Sequence, residues 1–447
     1  MVIFTGVTVS PRPSLQESAE PSKNSNVKAS PSAYAPNALR HLRRRILVAK
    51  FGGTSLGSAR RISRAAKAVA NEYAHGTRLV IVVSAVGGTT DRLLELTNRT
   101  HNIVDNDRDD ILAMGERTSA RIFAAALKSL GIQSRYFDPS DKDWPIITDD
   151  MFSRANPLRQ KCTARIRRYV MPLLGEGIVP VIAGFIGRTQ DGRVSTLGRG
   201  GSDTTALLLA NALDADEVVL VTNSPGVMSG DPKLVQRPRL IKRIEMRTLS
   251  GMADSGTKFI HRKALKFKDP RIDVRVVSQR LGDLRAPGTI ISGDAISELE
   301  VKVHNPHPVA SVTLVGKSLS KNPSLMSQVT KIARRNLVAA SQDSDSIILY
   351  LRETGALKKE IASLHRAVLR NPGGVAVAAR TGTTLITIQG VGLEETPGVT
   401  ARIAETLRIN NINIFGILTI TSSVLVLVGW KDRKKAAGLI RNALEMN

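Results

Sequence analysis

A lysine closes an apolar run and is followed, one residue on, by two glycines and two hydroxyls: Ile46–Ser55 reads ILVAKFGGTS. Lys50 supplies a fixed cation. Gly52 and Gly53 leave amides that approach oxygen with no Cβ in the way, and Thr54 and Ser55 add hydroxyls. Those parts suit phosphate. The order is not that of a P-loop, because the lysine precedes the glycines. An ordinary tight turn carries glycines too, so the companions of this run decide its meaning. In TLGRGGSDTTALLLANAL, from Thr196 to Leu213, a glycine loop surrounds Arg199, and Ser202 and Asp203 precede an apolar helix. Either of the last two suits a helix cap, the first-turn amides favour an anion, and the guanidinium fork suits a carboxylate or phosphate. VSAVGGTTDRL places Ser84, Thr89 and Thr90 at the end of another apolar run. In ILAMGERTSARIFAAAL, Glu116 is expected in the first turn of an Ala-rich helix, as a dipole-stabilised acid or as a carboxylate for an ammonium group. VTNSPGVMSGDPKLV follows a further strand and forms a broad Pro/Gly loop able to clasp a base and ribose. Lys233 and Lys258 are candidate phosphate cations. Together these groups describe a site for a nucleotide phosphate beside an amino acid.

Such groups converge only if strand ends converge. Strands are expected at Ile46–Phe51, Leu79–Ala85, Val179–Phe185, Glu217–Thr222 and Asp273–Ser278, with helices between them. In 59–74 the residues Ile62, Ala66, Val69 and Tyr73 share one helix face. Alternating strands and helices imply a mainly parallel sheet covered on both sides, with ligands beyond the carboxyl ends of the strands. From about Val301 two segments resemble one another. Gly316 and Gly390 are 74 residues apart, as are Pro323 and Pro397, and each unit reads strand, Gly/Pro loop, helix, strand. Two small α+β modules follow from that repeat. Residues 1–45 are rich in Pro, Ser, Ala and Asn without periodicity and read as a disordered tail.

Composition bounds the function. The chain has 447 residues, 42% of them hydrophobic and only 4% aromatic, so its cores are aliphatic. No apolar run is long enough for a transmembrane helix, and Cys162 is the only cysteine. A reducing, cytoplasmic setting without disulfides or a membrane is expected. The net charge of +25 raises nucleic acid as a partner, but the basic residues are dispersed and not interleaved with aromatics. Attraction for anionic small molecules is the simpler reading.

KFGGTS, VSA…TTDRL, GERTSA and GRGGSDTTA in this order, followed by the T-N-x-P-G-V…DP loop and TKFIH, resemble the aspartate kinases. The resemblance covers about Ile46–Ser292 and continues through the C-terminal pair, which is similar to tandem ACT domains. It implies an amino-acid kinase fold over 46–292, a mainly parallel three-layer α/β/α sandwich, followed over 293–447 by two ferredoxin-like ACT domains, the first nested in the second. The activity it implies is ATP-dependent phosphorylation of the aspartate side chain, with Mg²⁺ accompanying ATP and no metal held by the protein alone. Lys50 would steady the moving phosphoryl group, and Asp203 would orient Lys50. Glu116 would hold the ammonium, Arg199 the α-carboxylate, and Ser84, Thr90 and Ser202 would help seat the substrate. Gly52, Gly53, Thr54 and Ser55 would line the phosphate path. Thr222, Asn223, Met228, Lys233 and Lys258 would bind the nucleotide. The nucleotide loop departs from the family's usual T-D-x-D-G-[VI]-Y: Asn223, Pro225 and Met228 replace its two acids and its tyrosine.

The ACT pair implies feedback by an end-product amino acid such as lysine or threonine, and pairing in a homodimer or a dimer of dimers. The loops Gly316–Met326 and Gly390–Val399 are expected to leave amides free for an effector carboxylate. Another amino-acid kinase, and a non-catalytic sensor built on the same scaffold, are the competing readings.

Overall fold

The computed structural model describes residues 44–231, 234–246, 248–249, 260–294, 299–303, 307–390, 393, 397–420 and 423–445. The expected tail, Lys233 and Lys258 lie outside them, apart from Arg44 and Arg45.

Buried aliphatic runs build the first sheet. It comprises β1 (Ile46–Phe51), β2 (Arg78–Val83), β3 (Ser134–Phe137), β4 (Val179–Ala183), β7 (Glu217–Thr222), β8 (Arg243–Glu245), β9 (Asp273–Ser278) and β10 (Thr289–Ser292). A two-stranded hairpin, β5 (Ile186–Arg188) and β6 (Val194–Thr196), stands apart from it. The order of the large sheet is β3-β4-β2-β1-β7-β9-β10-β8, parallel from β3 to β9 and antiparallel only where β10 meets β9. Almost every residue of β1, β2, β4 and β7 is buried, as a sheet covered on both faces requires. Helices α1 (Ala59–Ala74), α2 (Thr89–Arg99) and α3 (Asp105–Lys128) pack as one group, and α4 (Arg159–Tyr169) packs on α5 (Gly201–Ala212). Because β1, β2, β4 and β7 run parallel, their carboxyl ends, and the loops that follow them, share one edge.

The second sheet is antiparallel, in the order β13-β14-β12-β15-β17-β16, with β11 also on β15. Its strands are β11 (Leu299–Val303), β12 (Val309–Gly316), β13 (Leu337–Gln342), β14 (Ser346–Arg352), β15 (Gly374–Gly390), β16 (Ile414–Ile420) and β17 (Ser423–Gly429). The helices are α6 (Pro323–Ala333), α7 (Leu357–Leu369), α8 (Val399–Ile409) and α9 (Arg433–Glu445). The repeat read from the glycines and prolines is a repeat of strand, helix, two strands and helix. The 17-residue β15 serves both copies: its first half pairs with β12 of one, and its second half pairs with β17 and β11 in the other. β11 thus completes the second module although it precedes the first in the chain. Each module has its own aliphatic core.

The expectation of free amides at Gly316–Met326 is not met. Lys317 N donates to Gly373 O, and Ser318 N donates to the Asp345 carboxylate at 2.7 Å. Ser324 N and Leu325 N both donate to Asn322 Oδ1. Polar side chains of the module itself cap its helix start and occupy the anion position. Most of the corresponding loop in the second module lies outside the described residues.

Candidate active site

Lys50 is the fifth residue of β1, and its ammonium reaches the carboxylate of Asp203 on α5 at 2.7 Å. The chain turns immediately after β1. Gly52–Ser55 forms a single 3₁₀ turn held down by Ser55, whose buried hydroxyl donates to Val221 O on β7. Ser55 therefore anchors the turn, and its proton is not offered to a ligand. Thr54 is exposed, and its carbonyl accepts the Arg61 guanidinium at 2.8 Å. The need for glycine is visible in the packing. A Cβ on Gly53 would lie 2.6 Å from Ala85 O, so the turns after β1 and β2 touch through bare backbone.

Glu116 is not in a first turn, as the sequence reading expected, but in the middle of α3, which begins at Asp105. The helix dipole therefore does not account for it. Gly115 lets the helix approach, since a Cβ there would stand 2.8 Å from the Cβ of Ala85. The approach lets Ala85 N donate to Glu116 Oε1 at 3.0 Å, while Oε2 is buried without a hydrogen-bond partner. Burial pushes the Glu116 carboxyl up to about 7, against the pull of the Ala85 amide. Only 4% of its surface is exposed.

Next to Ala85, the Ser84 hydroxyl donates to Ser202 Oγ at 3.0 Å. Ser202 and Asp203 do not cap α5. Gly200 holds the N-cap position in the left-handed region at φ 76° with no side-chain cap, which leaves Asp203 for Lys50. Asp203 also accepts His261 N at 3.4 Å, and the His261 ring packs where a Cβ on Gly200 would sit. Gly184 after β4 is as tight, a Cβ there lying 2.7 Å from the Ser202 side chain. Phe185 beside it takes φ 70°, a strained value for a non-glycine residue at a site. Arg199 is exposed and makes no ion pair among the described residues.

Contacts thus join Glu116, Ala85, Ser84, Ser202, Asp203 and Lys50 in one unbroken chain across α3, the turn after β2, α5 and β1. Thr90 lies half-buried in the first turn of α2 without a described side-chain bond. Thr222 closes β7 with a hydroxyl that bonds Ser224 N and O. Beyond it Asn223 is exposed, and Met228 pairs with Leu240 to close a loop. Sequence reasoning missed the roles of Gly115, Gly184, Phe185 and His261, and of Asp109, which is 0% exposed on α3. The spacing of seven between Asp109 and Glu116 was the available signal, because it puts both on one helix face.

A parallel sheet whose strand ends gather a lysine–aspartate pair, a bare-backbone turn and an unpaired buried carboxylate is that of a small-molecule kinase. The amino acid kinase family model matches residues 45–278, more than half of the chain, and the chain belongs to that family. The aspartokinase of Geobacillus stearothermophilus is 33% identical over 385 residues, covering 83% of this chain and 89% of its own length. That of Corynebacterium glutamicum is 30% identical over 421 residues, covering 90% and 96%. The crystal structure of aspartate kinase from Synechocystis superposes with a TM-score of 0.73 at 26% identity, over 90% of this chain and 70% of that one. Within the family, this chain is one of the aspartokinases.

Proposed function

We propose that the chain transfers the γ-phosphoryl group of ATP to the side-chain carboxylate of L-aspartate, giving 4-phospho-L-aspartate and ADP, the first step toward lysine, threonine and methionine. The observation that carries this reading is the buried, unpartnered Oε2 of Glu116, on the same contact chain as Lys50. A buried acceptor with no donor is costly unless a ligand supplies one, and an α-ammonium does so. Arg199, unpaired among the described residues, is left for the α-carboxylate, with Ser84, Thr90 and Ser202 around the rest of the substrate.

A side-chain oxygen of aspartate attacks the γ-phosphorus, and the bond from that phosphorus to the β,γ-bridging oxygen breaks, its electron pair leaving with ADP. The attacking carboxylate is ionised at pH 7, so no base has to remove a proton. What the protein must supply is charge. Lys50, steered by Asp203, stands where two anions meet, and the amide of Gly53 faces the phosphate path beside Thr54, whereas that of Gly52 donates to Val221 O at 3.4 Å. Thr222, Asn223 and Met228 border the nucleotide, with Lys233 and Lys258 as further cations. Among the described residues no three His, Cys, Asp or Glu gather as a metal cage. Mg²⁺ would enter on the phosphates of ATP and neutralise their charge when bound.

Regulation by lysine or threonine through the ACT modules, and a homodimer or dimer of dimers, belong to the same reading. A hydroxamate assay with ATP and aspartate tests it, with glutamate as the competing acceptor. Lys50→Ala is expected to lower turnover a hundredfold or more. Near-normal turnover in that variant, or preference for glutamate, would sink it.

A further inference from the structure

Asp109 is buried two helical turns before Glu116, on the same face of α3. Its carboxylate accepts four hydrogen bonds from two segments distant in sequence. Thr196, the last residue of β6, donates its amide at 2.7 Å and its hydroxyl at 2.9 Å. Ser153, held at φ 65°, donates its amide at 2.8 Å and its hydroxyl at 3.2 Å. The two segments are also joined to each other by Ala155 N donating to Thr196 O at 2.9 Å. Ser153 O presses on the turn that follows, for a Cβ on Gly198 would lie 2.9 Å from it. Arg199 comes next. The loop bearing the arginine is therefore pinned to the helix that carries Glu116, through a single buried carboxylate.

We infer that Asp109 is a positioning residue that sets the separation between Glu116 and Arg199, so that the site gauges the α-amino-acid group of its substrate. The inference rests on the functional reading above, in which those two side chains hold the ammonium and the α-carboxylate. Oδ2 takes the two amides and Oδ1 the two hydroxyls, so each oxygen holds both segments, and removing the whole carboxylate, as in Asp109→Ala, is what frees them.

The test uses the full chain and two ligands: aspartate as substrate, and β-alanine, which is aspartate without the α-carboxylate, as a competitive inhibitor. In Asp109→Ala the KM for aspartate should rise about tenfold or more, as loss of an arginine–carboxylate contact does. The Ki for β-alanine and the KM for ATP should stay within twofold. Arg199→Ala should show the same pattern, and adding Asp109→Ala to it should change little further, because the two act through one contact. Equal weakening of β-alanine, parallel loss of ATP affinity, full additivity with Arg199→Ala, or an unchanged aspartate KM would each overturn the inference. If Asp109→Ala does not fold, Ser153→Ala with Thr196→Val removes only the two hydroxyl bonds. It should raise the aspartate KM about threefold with β-alanine unmoved, and no rise would be equally fatal. A wild-type chain that phosphorylates no aspartate removes the functional reading and this inference with it. An active wild type with unshifted variants removes the inference alone.

Discussion

Glu116 needs a charge to hold an ammonium group, yet its surroundings disfavour that charge. Burial raises its carboxyl to about 7, so at pH 6 most of the substrate-free protein carries it protonated and at pH 8 most carries it ionised. Only the ionised form receives the ammonium, and the KM for aspartate should fall about tenfold from pH 6 to pH 8. Glu116→Gln should raise the KM and abolish the slope, and a wild-type KM flat across that range refutes the assignment. Stability runs the other way. Between pH 4.5 and 7 the folded chain retains a proton that the unfolded chain has released, so this group makes the empty protein less stable as pH rises through that window. Lys50, Asp203, Arg199 and Glu116 stand out in the sequence as candidates because their types and neighbours are unusual, and the fold pairs the first two. What Ser55 and Glu116 do with their oxygens was not legible. Those facts depend on Val221 and Ala85, which are brought near only by the fold.

At the scale of elements, glycine-rich loops read from sequence as phosphate turns prove to be close contacts as well. Gly115, inside helix α3, sets packing against propensity, since in isolation alanine would favour the helix by about 1 kcal/mol. Here an added methyl stands 2.8 Å from the Ala85 side chain, and α3 or the turn after β2 must shift. Gly115→Ala should destabilise the fold by about 1–3 kcal/mol, the usual cost of overpacking. It should also raise the aspartate KM, because the Ala85–Glu116 bond lies at the same contact; denaturant unfolding and steady-state kinetics read the two effects. A variant more stable than wild type would show that the approach is not tight. Strands β1, β7 and β9 and helix α1 were read from the sequence to the residue, since each carries a long uninterrupted signal. β8 and β10 are three and four residues long, and β8 exposes two of its three residues, so neither leaves a pattern to read. The start of α3 was misplaced because Asp105–Asp110 is acidic and gives no apolar period.

The whole molecule joins the parallel sheet to a pair of modules that share the single strand β15, and the proposed feedback by an amino acid would act at one of their helix starts. The repeat was visible in the spacing of Gly and Pro, but the exchange of β11 into the second module was not, because no local pattern records which strand fills a distant edge. The two helix starts also differ, and the sequence signals it: Ser324 follows Pro323 in the first, where Gly398 follows Pro397 in the second. In the first module Asn322 caps α6, and Asp345 takes the preceding loop amide. In the second, α8 follows Gly398 at φ 81° with no side-chain cap. An amino-acid carboxylate competes with resident oxygens at the first start and meets none from a cap at the second. Asn322→Ala should therefore cost about 1 kcal/mol of stability through the lost cap while leaving the response to lysine or threonine intact. An added carboxylate at the second start, in Gly398→Asp, should blunt that response while basal turnover stays within twofold. Thermal unfolding and inhibition curves measured on the same preparations separate the two effects, and loss of the response in Asn322→Ala alone would move the effector to the first module.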